Sequence, residues 1–454
     1  MSQPDPIFEK NPQFRLENHF FVNSGGHKVV TDAFGAMIWE ALPGTAADIA
    51  GRIAPSADVS GRMLEDFLRL MARAGIAVDS STPPSARPAA AAPLPFSVSV
   101  VIVTLNGKAH IRECLASLRA QTCGPLDIHV VDNGSTDGTR EIVRSEFPEI
   151  TLHGLTKNLF YPGGVNYGIA RTTGAAVLVL NDDVELEPDF VAEMARALAA
   201  APRAAAVVPL MKLFYLRGFI NGIGNHVRTK GWGSDNFVGY VDIGQFDGLT
   251  EVPSACVSAA LIRRAAVDAV GPFDAAYRAY YEDADWSFRV RRAGWTINAA
   301  PRAVVYHKFS AFWKNMERKL KLAARNRLRF VLKNFDGRLR RAFLRSYVKE
   351  DLINILSLAR HKRYAEAGAH IRAYFSLFLT LPDIWDKRAA AKRTWKGAGA
   401  SGKVETILKL NPVQWSGMNT DNIPRLDAGI YFGYYARKFA EMEAAAAGRA
   451  PLGR

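Results

Sequence analysis

The chain is short of cysteine, of long apolar runs and of acidic residues, and each shortage narrows what it can be. Its three cysteines, Cys114, Cys123 and Cys256, form neither a zinc-ligand spacing nor a disulfide framework across 454 residues. An odd, low count fits a reducing cytosol. No apolar stretch approaches the roughly 20 residues that span a bilayer, and the longest candidate, near Tyr374 to Leu381, is stopped by Pro382. The opening Met1-Ser2-Gln3-Pro4-Asp5-Pro6 has no basic and no apolar region, so no secretory signal is read there. Acidic residues are outnumbered 44 to 58, leaving a net charge of +14. The surplus is concentrated: residues 301–350 hold fifteen Lys/Arg and three Asp/Glu. Such a patch favours phosphate, anionic lipid headgroups or nucleic acid. Nucleic acid is not expected, because aromatics are not interleaved for base stacking.

What is present reads as a globular protein of two or three units, with 48% hydrophobic and 22% charged residues. Residues 1–80 form the first. Phe20–Asn23 and His27–Val30 flank Ser24-Gly25-Gly26, a hairpin signal; three helices and a short strand at Gly75–Val78 follow. Residues 81–96 are a proline- and alanine-rich linker. Over residues 97–335 apolar strands alternate with helices, which predicts an α/β fold with a mostly parallel sheet. Residues 336–454 form a helical C-terminal extension, with helices at 339–358, 364–379 and 425–446 and a loop over 398–427.

In such sheets ligands bind beyond the carboxyl ends of the strands. Four ends here are polar: Thr104-Leu105-Asn106-Gly107, Asp132-Asn133-Gly134-Ser135, Asn158 to Asn166, and Asn181-Asp182-Asp183. Asp132 can accept from a pyrimidine imide. Gly163 and Gly164 let backbone approach a ligand at a helix start. The carboxylates after Leu180 call for a cation, and oxygen ligands suit Mn²⁺ or Mg²⁺ carrying a diphosphate; turn and cap chemistry explains any one of these ends alone.

Val98 to Asn106, Val131 to Thr139, Asn181-Asp182-Asp183, Gly271-Pro272-Phe273-Asp274, Tyr281 to Arg289, Val305-Tyr306-His307 and Ala324 to Leu328 resemble, in this order, the family 2 glycosyltransferases. The likeness covers about residues 96–335 and leans to the rhamnosyl- and galactofuranosyltransferase branch. It implies a GT-A fold, inverting transfer, and a UDP- or dTDP-sugar donor. Asp132 would read the base with Thr104 beside it; Asn106, Asn133, Asn158 and Asn166 would line the donor pocket. Asn181 and Asp183 hold the outer places of the family's Asp-x-Asp motif. Asn181 departs from it, leaving Asp182 and Asp183 as the carboxylate contacts. His307 would complete the metal shell. Asp283 would be the base, with Glu282 and Asp285 placing acceptor hydroxyls, although acids at a helix start also serve as caps. Ala255 to Arg264 is expected as a buried helix.

The basic helix from Trp313 to Phe335 is expected to lie on an anionic membrane surface, placing a cytoplasmic enzyme at the inner face of the cell membrane. Its acceptor would be a cell-envelope or lipid-linked glycan. The Ala36-Met37-Ile38-Trp39-Glu40 core of the first unit is similar to PqqD-like winged-helix domains, which bind leader peptides. A peptide acceptor recruited by that unit is therefore the second reading. That unit as a homo-oligomer contact, and a non-catalytic nucleotide-sugar-binding scaffold, are the alternatives.

Overall fold

The computed structural model describes residues 7–12, 14–17, 20–23, 28–30, 33–53, 61–73, 76–79, 93–214, 216–227, 231, 233–242, 244–308, 316–395 and 403–410. At the N-terminal end β1 (Ile7–Lys10), β2 (Phe14–Glu17), β3 (Phe20–Asn23) and β4 (Lys28–Val30) precede α1 (Ala33–Ala41), β5 (Gly44–Thr45), α2 (Ala46–Ile53), α3 (Gly61–Arg73) and β6 (Ala77–Asp79). Strands β3 and β4 pair antiparallel, as the Gly25-Gly26 signal predicts, and β2 adds to the other edge of β3. Phe8, Trp39 and Leu42 share an apolar core with Leu213, Leu216, Phe219 and Val241, so this unit is packed onto the body of the protein.

The body begins with β7 (Val98–Thr104), α4 (Ile111–Arg119), β8 (Asp127–Asp132), α5 (Thr139–Glu146), β9 (Thr151–Gly154), α6 (Phe160–Ile169) and β10 (Ala176–Asn181). Then come β11 (Val184–Leu186), α7 (Phe190–Ala200), β12 (Ala204–Leu213), β13 (Leu216–Gly222), β14 (Asn225–Val227), β15 (Gly233–Asp235), β16 (Ala259–Arg263), α8 (Arg264–Val270), α9 (Glu282–Arg292) and β17 (Thr296–His307). A nine-stranded sheet runs β11-β17-β12-β16-β10-β7-β8-β9, with β13 on β12. Strands β9, β8, β7 and β10 are parallel; beyond β10 the sheet is mixed, because β16 is antiparallel to both its neighbours. Every residue of β7 is buried, and so are Ala176 to Leu180 of β10, as expected for strands covered on both faces.

Two expectations are corrected. Residues 259–263 are strand β16 rather than part of a helix. Ala259 to Ile262 are buried, and the backbone of this segment is taken up by pairing with β10 on one side and β12 on the other, which a buried helix could not supply. The second half of the basic helix α10 (Met316–Asn334) is not a membrane face either. Its Arg325, Arg327, Arg329 and Lys333 are all buried, with Arg329 0% and Lys333 2% exposed. Arg329 Nη2 donates to Asp274 Oδ2 at 2.8 Å and to Asp383 at 2.5 Å; Lys333 Nζ donates to Asp285 Oδ2 at 2.8 Å and Asp274 Oδ2 at 3.1 Å. Part of the local excess of positive charge is thus spent inside the protein, Arg329 and Lys333 pairing with Asp274 and Asp285 of the catalytic half.

The helical extension continues with α11 (Gly337–Arg360), α12 (Tyr364–Phe378), α13 (Leu381–Thr394) and a short α14 (Val404–Lys409) inside the expected loop. Pro382 stops one apolar run by starting α13. The helix expected at 425–446 and most of the linker lie outside the described residues.

Candidate active site

Register alone assembles the donor side. Thr104 pairs with Asp132 across β7–β8, and Asn181 pairs with Val103 across β7–β10, so three polar ends share one edge. Val184 pairs with His307 across β11–β17, which puts Asp183 beside the histidine. Asp183 Oδ1 and His307 Nε2 lie 3.2 Å apart, and both residues are buried. His307 Nδ1 hydrogen-bonds Asn221 Oδ1 at 2.7 Å, which leaves Nε2 to face the carboxylate. Asn221 was not singled out in the sequence, because nothing local marks a strand asparagine as a partner for a histidine 86 positions away.

Asp132 is fully buried. Its Oδ1 accepts from Arg140 Nε at 2.7 Å and from the Gly134 and Ser135 amides at 3.0 and 2.9 Å. Its Oδ2 is buried with no donor, an acceptor held ready for a ligand N–H. Asp182 turns toward β7, where Thr104 Oγ1 donates to its Oδ2 at 2.5 Å. Burial and then the charge of Asp183 push the Asp182 carboxyl up to about 7. Gly107 makes room for this pair: a Cβ there would sit 2.2 Å from Asp182 Oδ2 and 2.3 Å from Thr104 Oγ1.

The asparagines do other work than expected. Asn106, at φ 55°, accepts from the Thr136 amide and donates its own N–H to Ser135, lacing two strand ends together. Asn133 and Asn158 bond the backbone at Leu159 and Phe160 and hold the start of α6. Asn166 grips the backbone of Phe273 at both ends, at 2.8 and 3.0 Å, and so joins α6 to the Gly-Pro-Phe-Asp turn. Asn181 ends β10, its backbone N–H donating to Ser258 O. Gly164 also serves packing: a Cβ would lie 2.8 Å from Val103, so the glycine lets α6 sit close against β7. Gly163 is half-buried beside it in the first turn of α6.

Across the crevice the chain enters α9 through Arg278, Tyr280 and Tyr281, all with φ between 65° and 70°. Non-glycine residues in this region store strain, which is characteristic of functional loops. Tyr281 pins the turn by donating to Gly231 O at 2.8 Å and accepting from the Gly233 amide at 3.2 Å, tying it to the β14–β15 hairpin. The turn presents Asp283. Asn225 Nδ2 donates to Asp283 Oδ2 at 2.8 Å, and the Ala284 amide donates to Oδ1 at 2.7 Å. Burial, followed by electrostatic repulsion from Asp235 among other causes, raises its carboxyl to about 6. Glu282 is buried, its Oε2 has no donor, and burial with the nearby Asp283 charge pushes it up to about 8. The buried Tyr161 phenol, bonded to Val257 O, is raised by burial and then by Glu282, with Cys256, Asp283 and Asp183 adding to it; both acid groups therefore border one site.

Asp285 is the exception among the three acids. It is 0% exposed, and both oxygens are committed: Oδ1 to Tyr277 and Asn334, Oδ2 to Arg289 and Lys333. Lys333 and Arg289 hold it below the usual carboxylate range against its burial. It anchors α9 to α10 and is not available to an acceptor. Among the described residues no three His, Cys, Asp or Glu side chains converge as a complete metal cage; Asp183 and His307 form a pair.

A parallel strand edge with a buried acid, an aspartate–histidine pair and a strained acidic turn opposite make up the candidate site. The profile described as Glycosyl transferase family 2 matches residues 99–271. The N-acetylglucosaminyl-diphospho-decaprenol L-rhamnosyltransferase of Mycobacterium tuberculosis is 30% identical over 230 residues, covering 46% of this chain and 75% of that one. A PGL/p-HBAD biosynthesis glycosyltransferase of Mycobacterium bovis is 30% identical over 198 residues, 42% and 68% of the two chains. Among solved structures, S. aureus TarS 1-349 in complex with UDP-GlcNAc superposes at a TM-score of 0.43 with 17% identity, over 66% of this chain and 89% of that one. The chain belongs to glycosyl transferase family 2 and is a glycosyltransferase.

Proposed function

We propose that the protein is an inverting, metal-dependent transferase that moves a hexose or deoxyhexose from a UDP- or dTDP-sugar to a hydroxyl of a lipid-linked glycan. The observation that carries this is the Asp183–His307 pair, set by strand register beside the buried acceptor of Asp132. Asp132 Oδ2 accepts the imide N–H of the pyrimidine, with Arg140 fixing the carboxylate. Asp183 and His307 would hold Mn²⁺ or Mg²⁺, and two protein ligands suit an ion carried mainly by phosphate oxygens. Such an ion supplies charge neutralisation at the departing diphosphate. Asp283 takes the proton of the acceptor hydroxyl as its oxygen bonds the anomeric carbon. The bond from that carbon to the diphosphate breaks on the opposite face, which inverts the centre. Glu282, kept neutral by burial, can donate to an acceptor oxygen.

The relatives named above include an enzyme of polyprenyl-diphosphate sugar chemistry, which supports the acceptor class and a site of action at a membrane surface. The first 80 residues support a second reading, a PqqD-like unit that recruits a peptide acceptor, because they are packed directly on the transferase body. A thermal-shift screen of nucleotide sugars with and without Mn²⁺, followed by transfer onto N-acetylglucosaminyl-diphospho-polyprenol and onto peptides, tests both. A donor at about 100 times its Kd stabilises the fold by about 2.7 kcal/mol. Absence of stabilisation by any donor with metal would overturn the proposal.

A further inference from the structure

Among the described residues, ten of the eleven large apolar side chains left exposed lie between Val348 and Trp385; the other is Leu105. They form stripes on two adjacent helices. On α11 they are Val348, Leu352 and Leu356, spaced by four; on α12 they are Ile371, Phe375 and Phe378. These six are 49–68% exposed. The opposite faces are buried through Phe343, Tyr347, Ala373 and Leu377, so the exposed stripes are the outer face of a packed helix pair. Monomeric proteins rarely leave such a patch without a partner.

The charge around the patch selects the partner. Residues 337–378 carry nine Lys/Arg and three Asp/Glu, and one of the acids, Asp351, is buried against His370. Exposed Arg341 and Arg345 precede the stripe of α11, Lys349 lies within it, and Arg360 follows it. A second copy of the chain would bring the same positive charge to this face. The 44 residues after 410 carry five Lys/Arg and four Asp/Glu, no acidic complement. An anionic bilayer surface supplies both the apolar layer and the negative charge. No helix of the described residues is long and apolar enough to cross a membrane.

We infer that the outer face of α11 and α12 is the membrane-docking surface, seated in the headgroup–acyl boundary of anionic lipid. The inference rests on the proposed lipid-linked acceptor for its purpose, and it moves the membrane contact from α10, where Arg325, Arg327, Arg329 and Lys333 are buried, to the next two helices. The test is flotation of the full chain with phosphatidylcholine vesicles, with and without phosphatidylglycerol, using the wild type and the double variant Leu352→Glu, Phe375→Glu. The wild type should float with the anionic vesicles, less so at high salt, and the variant's bound fraction should fall about tenfold or more. An unchanged melting temperature, and unchanged transfer to a water-soluble acceptor, show that the variant is folded. A wild type that ignores vesicles at low salt overturns the inference. So does a dimer that the variant turns into monomer, or vesicle binding gained only when the chain is cut after residue 410. Vesicle binding without transfer to any lipid-linked acceptor would leave the docking surface standing and refute the acceptor reading.

Discussion

Asp283 and Asp285 are two positions apart on one helix, and their replacement by asparagine should fail in opposite ways. Asp283 carries its charge at a cost. With its carboxyl raised to about 6 from an unfolded value near 3.9, its ionised form opposes folding by roughly 2–3 kcal/mol at neutral pH. Asp283→Asn removes that cost and loses part of the bonding to Asn225 and the Ala284 amide, worth about 1 kcal/mol each. The melting temperature should therefore hold or rise. Transfer should fall by about 10²–10⁴, the usual worth of a positioned base, while donor binding survives. Asp285 is the reverse. Its folded value is depressed, so its contribution to stability is present above the unfolded carboxylate range and lost as pH falls. Asp285→Asn leaves Arg289 buried without an acid and Lys333 with Asp274 alone, which costs about 3–5 kcal/mol. At about 2–4 °C per kcal/mol, melting should drop by about 10 °C. Scanning fluorimetry and a nucleotide-release assay on both variants decide the matter. Turnover of Asp283→Asn within tenfold of wild type would remove the base assignment. An Asp285→Asn protein that melts normally yet cannot transfer would return that residue to the acceptor site.

The acid limb of kcat/KM should fall below about pH 6, because a base raised to that value must be deprotonated to act; a flat profile from pH 5 to 8 contradicts this. Asn225→Ala should lower kcat and shift that limb upward, since the amide favours the charged carboxylate, whereas Asn225→Asp should do worse by adding a like charge. Gly107→Ala should drive a methyl into the Thr104–Asp182 pair and weaken donor affinity at least several-fold, measured by calorimetric titration of the nucleotide sugar. Asp183→Ala and His307→Ala should each abolish the Mn²⁺-dependent part of donor-induced stabilisation in a thermal-shift assay.

The donor edge was legible because strand ends are local: an apolar run closing on Asp132 or Asn181-Asp182-Asp183 shows its polarity and its place together. Asp183 and His307 were legible as residues, and strand register brings them together. The asparagines misled because type and position looked the same for a ligand contact and a backbone clamp. Only the fold reveals that Asn166 holds Phe273, 107 residues on. The basic run misled for a related reason. A helix dense in Arg and Lys reads as solvated, yet its counter-ions, Asp274, Asp285 and Asp383, sit in distant segments that periodicity cannot connect. Asn225 carries no signal at all; its worth lies entirely in facing Asp283.

Those buried cations bear on how the molecule comes apart. Asp274 and Asp285 belong to motifs of the catalytic half, and the charges that permit their burial come from α10 and, through Lys387, from α13. Removing the extension would take Lys387 from Asp274 and Asp383 from Arg329, and would bare the apolar face of α10 that Phe343, Tyr347, Leu377 and Ile384 cover, so the catalytic half loses much of its stability without it. Heating should give one cooperative transition spanning residues 97–395, and limited proteolysis should yield no surviving fragment that ends near residue 335. The neat boundary that the sequence draws between enzyme and appendage is, in energetic terms, the middle of a single folding unit.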